Sequence, residues 1–286
     1  DHVQQGVVAL CHVDDYLNDR IKKHEKTRPQ KEDDRTRLTS ELSANSGPVF
    51  LTYRDEPGID ASVRSAVESP AIFDFIAPDG IQHRVWRVDQ PADIVGGFQS
   101  VPLLYVADGH HRSASAARVG AERRAANPNH NGEEDYNWFL CVLFPASQLR
   151  ILPYNRVLGH LNGLSPDQLL EGIRERCELR ESAHAEPSEP GAVCMYLKGK
   201  WHEIRFRGEQ RDNPVDRLDV SRLQQEILEP MLGVQDPRTS AHIDFVGGIR
   251  GTKDLESRVD SGKAAVAFSL YPVMIEQLMD IADANE

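Results

Sequence analysis

The sequence predicts an α+β protein with mixed sheets and two domains. Short apolar runs of strand length alternate with segments whose apolar residues recur every three or four positions, as in amphipathic helices. In two places, at 78–80 and around Gly199, two consecutive expected strands are joined only by a turn sequence, which predicts a hairpin. A doubly wound parallel sheet would lack such hairpins. The 286 residues suffice for one large domain or two ordinary ones. We expect the two portions to be 1–145 and 146–286.

In the first portion, strands are expected where β-branched and apolar residues run between polar turn residues. Helices are expected where apolar residues share one face, and the first can be capped by Asp14 or Asp15. The expected strands are 7–13, 49–53, 71–76, 81–88, 103–107 and 138–144. The expected helices follow the first strand and then cover 34–44, 59–67, 92–98 and 113–125.

In the second portion, Ser165 followed by proline is an N-cap with a favoured first helical residue, so a helix begins there. Asp219 is expected to cap another helix that ends at Gly233. Further helices are expected at 252–259 and 273–284, and strands at 149–157, 192–197, 201–206, 242–245 and 264–270. Three polar stretches read as loops: 127–136, 181–191 and 208–214.

Composition excludes several classes of protein. The net charge of −12 argues against a general basic surface that coats nucleic acid. No window approaches the roughly 18 continuous apolar residues of a membrane span, and the N-terminus lacks the charge and apolar core of a signal peptide. The four cysteines are far apart and form no C-x-x-C, so we expect buried free thiols in a reducing cytoplasm.

A polar turn, D-G-H-H-R at 108–112, follows the strand expected at 103–107. Gly109 lets the backbone turn sharply, and the next helix N-terminus offers unpaired N–H groups. Arg112 can fork onto phosphate oxygens, and Asp108 can hold Mg²⁺ or orient a histidine. The turn is therefore a candidate anion site. The plainer interpretation is a turn with a capping aspartate and solvated histidines.

Residues 21–38 are basic, with seven Lys or Arg against four acids, in a chain whose net charge is negative. Arg28 stands where a second histidine would complete H-E-x-x-H, so zinc-protease chemistry is rejected. Glu25 among basic neighbours can be a general base, and Lys26 can neutralise phosphate. An exposed, charged helix end explains the same pattern.

Two weaker candidates lie further along the chain. Pro153 would present Arg156 at the rim of a strand, as an anion contact or as a surface arginine. Gly247 and Gly251 precede a helix, but the order Gly-Thr-Lys does not match the P-loop. Neither G-x-G-x-x-G after a strand nor G-x-S-x-G occurs, so the dinucleotide-binding fingerprint and the α/β-hydrolase elbow are absent.

The A-D-G-H-H-R segment at 107–112 resembles a motif of free-serine kinases that have a ParB/sulfiredoxin-like fold. Other blocks are similar to one large bacterial family, long described as a domain of unknown function and related to that superfamily. These blocks are I-K-K-H-E-K-T-R at 21–28 with D-R at 34–35, I-L-P-x-x-R at 151–156, and D-V-S-x-L-x-x-x-I-L-x-P-x-L-G at 219–233. They stand in family order and span nearly the whole chain.

The resemblance implies a ParB/sulfiredoxin-like, phosphate-binding core in 1–145 and a second α/β portion in 146–286. It implies phosphorylation of free L-serine to O-phospho-L-serine, for cysteine synthesis, with ATP, ADP or pyrophosphate as donor and with Mg²⁺. Glu25 would take the hydroxyl proton, Asp108 would hold the metal, and His111 would act beside them. The phosphate-binding residues would be Gly109, His110, His111, Arg112, Ser113, Lys26, Arg28 and Arg156.

Some features depart from the family pattern. Tyr154 and Asn155 stand where a Thr-His pair is common, so any role of that histidine is lost. The family carries a segment before this start and a tail after this end, so we expect the chain to be truncated at both ends. The expected partners are serine, or a similar small molecule, and the phosphoryl donor, and a homodimer is left open.

Two rival functions remain. One is a non-enzymatic, nucleotide-binding regulator of the same superfamily. A DNA-binding member should show a basic recognition helix, and none is evident. Sulfiredoxin chemistry needs a cysteine where His110 stands. The second rival is a metal-dependent hydrolase that uses His110 and His111.

Overall fold

Two compact units make up the protein in the computed structural model, which describes residues 2–24, 27, 29–208 and 211–284. The first unit runs through Leu149, and the second is Arg150–Ala284. Helices and sheets occur in both units, and the large sheet of the first unit is mixed, so the predicted α+β class is confirmed. The functional division expected between the two portions remains a prediction.

The first unit contains one large mixed sheet, a small hairpin and five α-helices among its described residues. Its strands are β1 (Val7–His12), β2 (Ile21–Lys22), β3 (Val49–Tyr53), β4 (Phe73–Ile76), β5 (Gln82–Val85), β6 (Leu104–Asp108) and β7 (Trp138–Pro145). Its helices are α1 (Val13–Leu17), α2 (Pro29–Leu42), α3 (Pro57–Ala66), α4 (Ala92–Phe98) and α5 (His110–Ala126).

The large sheet has the strand order β1-β7-β3-β6-β2. The pairs β1–β7 and β3–β6 are antiparallel, whereas β3–β7 and β2–β6 are parallel. Alternation along β7 buries Phe139, Cys141 and Leu143 on one face, as expected for a half-buried strand. These side chains join a core that includes Leu51 and Val106.

Small residues let helix α5 pack closely in the first unit. Its buried residues include Ala116, Ala117 and Gly120. A Cβ atom at Gly120 would lie 2.8 Å from the carbonyl oxygen of Tyr136 and 3.2 Å from Cγ2 of Val13. Glycine is therefore needed there for close approach rather than for backbone conformation.

The second unit is built around a six-stranded sheet in the order β12-β8-β13-β10-β11-β9, with antiparallel neighbours throughout. Its strands are β8 (Tyr154–Leu158), β9 (Cys177–Ser182), β10 (Ala192–Leu197), β11 (Lys200–Phe206), β12 (Ile243–Gly247) and β13 (Val266–Leu270). Its helices are α6 (Pro166–Arg176), α7 (Asp219–Leu223), α8 (Thr252–Asp260) and α9 (Ile275–Asp283). Every residue of the central strands β10 and β13 is buried, which explains their continuous apolar sequences.

Helix boundaries are where local expectation and structure differ. Ser165 caps α6, as predicted, and Gln168 completes a reciprocal capping box with it. Helix α1, however, is capped by the side chain of His12, and α7 begins after Leu218. Asp219 does not cap α7 but accepts a hydrogen bond from the backbone N–H of Gly191 at 2.8 Å.

The four cysteines are free thiols, as predicted, and Cys141, Cys177 and Cys194 are buried, whereas Cys11 was expected to be buried and is only partly so. Within the described ranges, helices are too short or too polar to cross a bilayer.

Candidate functional site

One residue separates strand β6 from helix α5, and that residue is Gly109. Its φ of 97° lies in the left-handed region, which favours glycine. A Cβ atom there would also lie 3.0 Å from both Nε and Nη2 of Arg112. Glycine is therefore favoured at this turn for two reasons: the backbone angle, and the close approach of the Arg112 guanidinium.

Helix α5 begins at His110, three residues before the start expected from sequence. His110, His111 and Arg112 are thus the first helical turn and not a loop that precedes it. Backbone N–H groups in a first turn have no partner within their helix, and Gly109 has no side chain to cap them. The 17-residue helix therefore presents N–H groups and the positive end of its dipole at this turn.

Parallel pairing of β2 with β6 brings the described start of the first motif, through His24, next to the D-G-H-H-R turn. Ile21 is opposite Leu104 and Lys22 is opposite Tyr105, so the chain after β2 runs beside the carboxyl end of β6. The His24 ring meets the His110 ring edge to face, with centroids 4.5 Å apart. Sequence reasoning did not choose His24 as a site residue, although its place inside the K-H-E-K-T-R block was a usable signal.

The three predicted residues of this first motif, Glu25, Lys26 and Arg28, lie outside the described residues. The positions around them are anchored near α5. Thr27 donates a hydrogen bond to Glu32 Oε2 at 2.6 Å, and Ser115 of α5 donates to the carbonyl oxygen of Glu32 at 3.2 Å. Helix α2 is therefore tied to the helix that carries the second motif.

An ion pair orients Arg112 at the start of α5. Its Nη2 lies 2.8 Å from Oδ2 of Asp108, whose side chain is 75% exposed. Asp108 is opposite Phe50, at an irregularity in the β3–β6 ladder. An exposed pair of this kind contributes roughly 0–1 kcal/mol, so it orients the guanidinium more than it stabilises the fold.

Two buried nitrogens beside the turn have no hydrogen-bond partner among the described residues. They are Nδ1 of His111 and Nε of Arg112. Most buried polar atoms in proteins are hydrogen-bonded, and exceptions often mark a place for water or a ligand. Both atoms belong to side chains that can donate to an anion.

Ser113 has an internal role in this structure. It is fully buried, and its hydroxyl lies 3.1 Å from the carbonyl oxygen of His110 and 3.3 Å from that of Gly109. Burial raises the pKa of the neighbouring Tyr16, while a hydrogen bond with Ser113 opposes that rise. Ser113 thus fixes the start of α5, and its predicted phosphate contact remains a prediction.

Arg156 belongs to strand β8 of the second unit. Its guanidinium lies 5.7 Å from the ring centroid of Tyr154 and 5.3 Å from that of Phe245, and these two rings are stacked. Burial lowers the pKa of Arg156 to about 10, still far above neutrality, so the group is a cation at physiological pH. Its predicted role as a phosphate contact remains a prediction.

The described residues supply only part of a donor set for Mg²⁺. The described residues contain no group of three or more His, Cys, Asp or Glu side chains that could hold a metal ion. Asp108 is a single exposed carboxylate already paired with Arg112. Proteins often bind Mg²⁺ through one or two carboxylates together with substrate phosphates, so Asp108 fits only as one ligand of a nucleotide-bound ion.

Several solved structures resemble this chain at low sequence identity. A free serine kinase variant in complex with AMP has a TM-score of 0.45 and 13% identity, over 100% of this chain and 85% of that one. A conserved hypothetical protein from Pyrococcus furiosus has a TM-score of 0.40 and 13% identity, with coverages of 100% and 89%. SbnI with a C-terminal truncation, from Staphylococcus aureus, has a TM-score of 0.41 and 12% identity, with coverages of 98% and 78%.

No curated protein sequence matches the chain. A family model described as a protein of unknown function, DUF1015, matches residues 1–221, which is more than half of the chain. The chain therefore belongs to the DUF1015 family.

Proposed function

We propose that this protein is a phosphotransferase that phosphorylates the hydroxyl of free L-serine, with a nucleotide or pyrophosphate as donor. The observation that carries the proposal is the parallel pairing of β2 with β6. This pairing places His24, which belongs to the K-H-E-K-T-R block, beside the A-D-G-H-H-R block at the end of the sheet where helix α5 begins. Both blocks resemble those of a family related to free-serine kinases.

The donor phosphates would bind at the start of α5. Backbone N–H groups and the helix dipole favour an anion there, as at many phosphate sites. Arg112 already lies over Gly109, and its Nε has no partner among the described residues. His111 supplies a second unsatisfied nitrogen. Phosphate would satisfy these groups and gain charge-assisted hydrogen bonds.

The chemical step is an in-line displacement at phosphorus. The serine oxygen forms a bond to the terminal phosphorus, the bond from phosphorus to the donor's bridging oxygen breaks, and the hydroxyl proton moves to a base. We assign that base to Glu25, which follows His24 directly in the sequence. Catalysis of this kind is mostly positioning and neutralisation of charge. Arg112, at the start of α5, can supply the neutralising charge, and Lys26, Arg28 and Arg156 remain predicted contributors.

Mg²⁺, bound to the donor phosphates with Asp108 as one protein ligand, would supply charge neutralisation at the transferred group. The protein's own contribution is then to orient the phosphates and to keep Arg112 in place through its pair with Asp108.

The test is formation of phosphoserine by the purified full-length protein with serine, Mg²⁺ and ATP, ADP or pyrophosphate in turn. We expect product with at least one donor. Glu25→Gln should lower the rate at least ~100-fold, the usual scale for a lost general base. Glu171→Gln, an exposed control on α6, should leave it unchanged. Absence of phosphoserine with every donor would contradict the proposal.

Nucleotide binding separates the kinase from a regulatory nucleotide-binding protein. Both functions need the anion site, so Arg112→Ala should weaken ADP binding in calorimetry, while the exposed Arg176→Ala should not. Binding that is lost in Arg112→Ala, without turnover in the wild-type protein, would support the regulatory function instead.

A further inference from the structure

The hairpin of β4 and β5 concentrates exposed apolar side chains on one part of the first unit. Among the described residues, seven of the eighteen exposed large hydrophobic side chains lie between residues 72 and 88. All eight residues of the two strands are exposed. Large contiguous apolar patches are rare on monomeric proteins and often mark interaction surfaces.

The two faces of the hairpin differ in chemistry. On one face Phe73 is opposite Val85 and Phe75 is opposite His83, whose ring stacks on that of Phe75 with centroids 5.3 Å apart. Phe73 is 60% exposed and Phe75 is 53% exposed. We call the face formed by Phe73, Phe75, His83 and Val85 the aromatic face.

Polar groups on the opposite face are satisfied within the hairpin. Asp74 accepts a hydrogen bond from Nε2 of Gln82 at 2.7 Å and another from Nε of Arg84 at 3.0 Å. That face therefore needs no partner for its charges. The two strands also pair with no other strand of the described residues, and an isolated two-stranded hairpin is only marginally stable in water.

Charge favours a second copy of this chain as the partner. The whole chain carries −12, so two copies repel each other over most of their surface. Residues 71–88 contain two aspartates and two arginines, so this segment has no formal net charge. Two copies can meet here without bringing like charges together.

The exposed apolar area sets the strength of this contact. At roughly 100 Å² for each exposed large apolar side chain, Phe73, Phe75 and Val85 on the aromatic face provide about 300 Å² per copy, below the ~800 Å² per partner of a standard stable interface, so the association should be weak and reversible. A surface that pairs with its own copy about a twofold axis needs only to be complementary to itself. An aromatic face meets that requirement, since aromatic rings pack on one another in offset or edge-to-face contacts.

We propose that the β4–β5 hairpin is the surface through which two copies of this chain associate, aromatic face against aromatic face. The proposal is independent of the phosphotransferase function. It concerns the first unit alone and uses none of the residues assigned to the anion site.

The test is the oligomeric state of the wild-type protein by sedimentation equilibrium across roughly 1–100 µM. We expect a reversible dimer. Phe75→Asp and, separately, Phe73→Asp should weaken dimerisation at least ~100-fold, as expected for central aromatic contacts. The matched control is Ile249→Asp, because Ile249 is 87% exposed and lies in the second unit. This control should dimerise like the wild type.

Circular dichroism and thermal melting establish that each variant is folded. If Phe75→Asp does not fold, the milder substitution Phe75→Ser takes its place. A wild-type protein that is monomeric throughout the range would overturn the proposal, as would a dimer that persists in both aspartate variants. Flotation of the monomeric wild-type protein with neutral phosphatidylcholine vesicles, lost in Phe75→Asp, would instead identify a lipid surface as the partner.

Discussion

Replacing Gly109 with alanine tests the anion site at the turn between β6 and α5. Alanine would have to adopt a φ of 97°, which costs an L-residue roughly 1–2 kcal/mol. Its Cβ atom would also lie 3.0 Å from Nε and Nη2 of Arg112. The guanidinium is the far end of a flexible side chain, so it should move aside. We therefore expect little added cost in stability but a displaced Arg112.

Gly132 provides a matched control, because its φ is 96° and a Cβ atom there would meet nothing within 4 Å. Gly109→Ala and Gly132→Ala should each lower the free energy of unfolding by about 1–2 kcal/mol. Only Gly109→Ala should weaken pyrophosphate binding, by about tenfold or more, which corresponds to ~1.4 kcal/mol. Denaturant titration and isothermal calorimetry measure the two quantities.

A double variant separates the two effects of the alanine. If Gly109→Ala acts on binding by displacing Arg112, it should add little to the loss already caused by Arg112→Ala. Wild-type pyrophosphate affinity in Gly109→Ala would refute the assignment of this turn as a phosphate site. Equal losses in Gly109→Ala and Gly132→Ala would show that the effect is general destabilisation.

Three further predictions concern stability. Ser113→Ala should lower the free energy of unfolding by about 1 kcal/mol, since it removes a buried hydroxyl that bonds the first turn of α5; unchanged denaturant midpoints would contradict this. Gly120→Ala should cost about 1–3 kcal/mol through overpacking against Val13, visible as a lower melting temperature. Burial raises the pKa of Asp219 to about 6 in the folded protein, so stability should fall as pH rises from 4 through 6, and Asp219→Asn should flatten that dependence in denaturation measured at several pH values.

The fold class could be predicted because it depends on local patterns. The apolar run of β7 and the Ser-Pro helix start at Ser165 are visible in a few consecutive residues, and both elements formed where expected. The start of α5 was misplaced, because two histidines and an arginine read as a polar turn. A left-handed Gly109 allows the helix to begin immediately after the strand.

Strand β2 shows the limit of local reasoning most clearly. Ile21 and Lys22 form a two-residue strand inside a segment that reads as a charged helix end. They form a strand because β6 offers a free edge for parallel pairing. A two-residue strand has no periodicity of its own, so no local pattern could have revealed it.

By itself, the sequence determined the chemistry that is available: a basic block, a D-G-H-H-R turn, free thiols and an apolar hairpin in an acidic chain. The tertiary structure decided which of these groups meet. It placed His24 against His110, directed Ser113 inward and left the aromatic face of the hairpin exposed. The physical reason is that turns and helix starts depend on residues that are neighbours along the chain. Contacts between residues 80 or more positions apart depend instead on which strands pair, and the burial of the whole sheet decides that pairing.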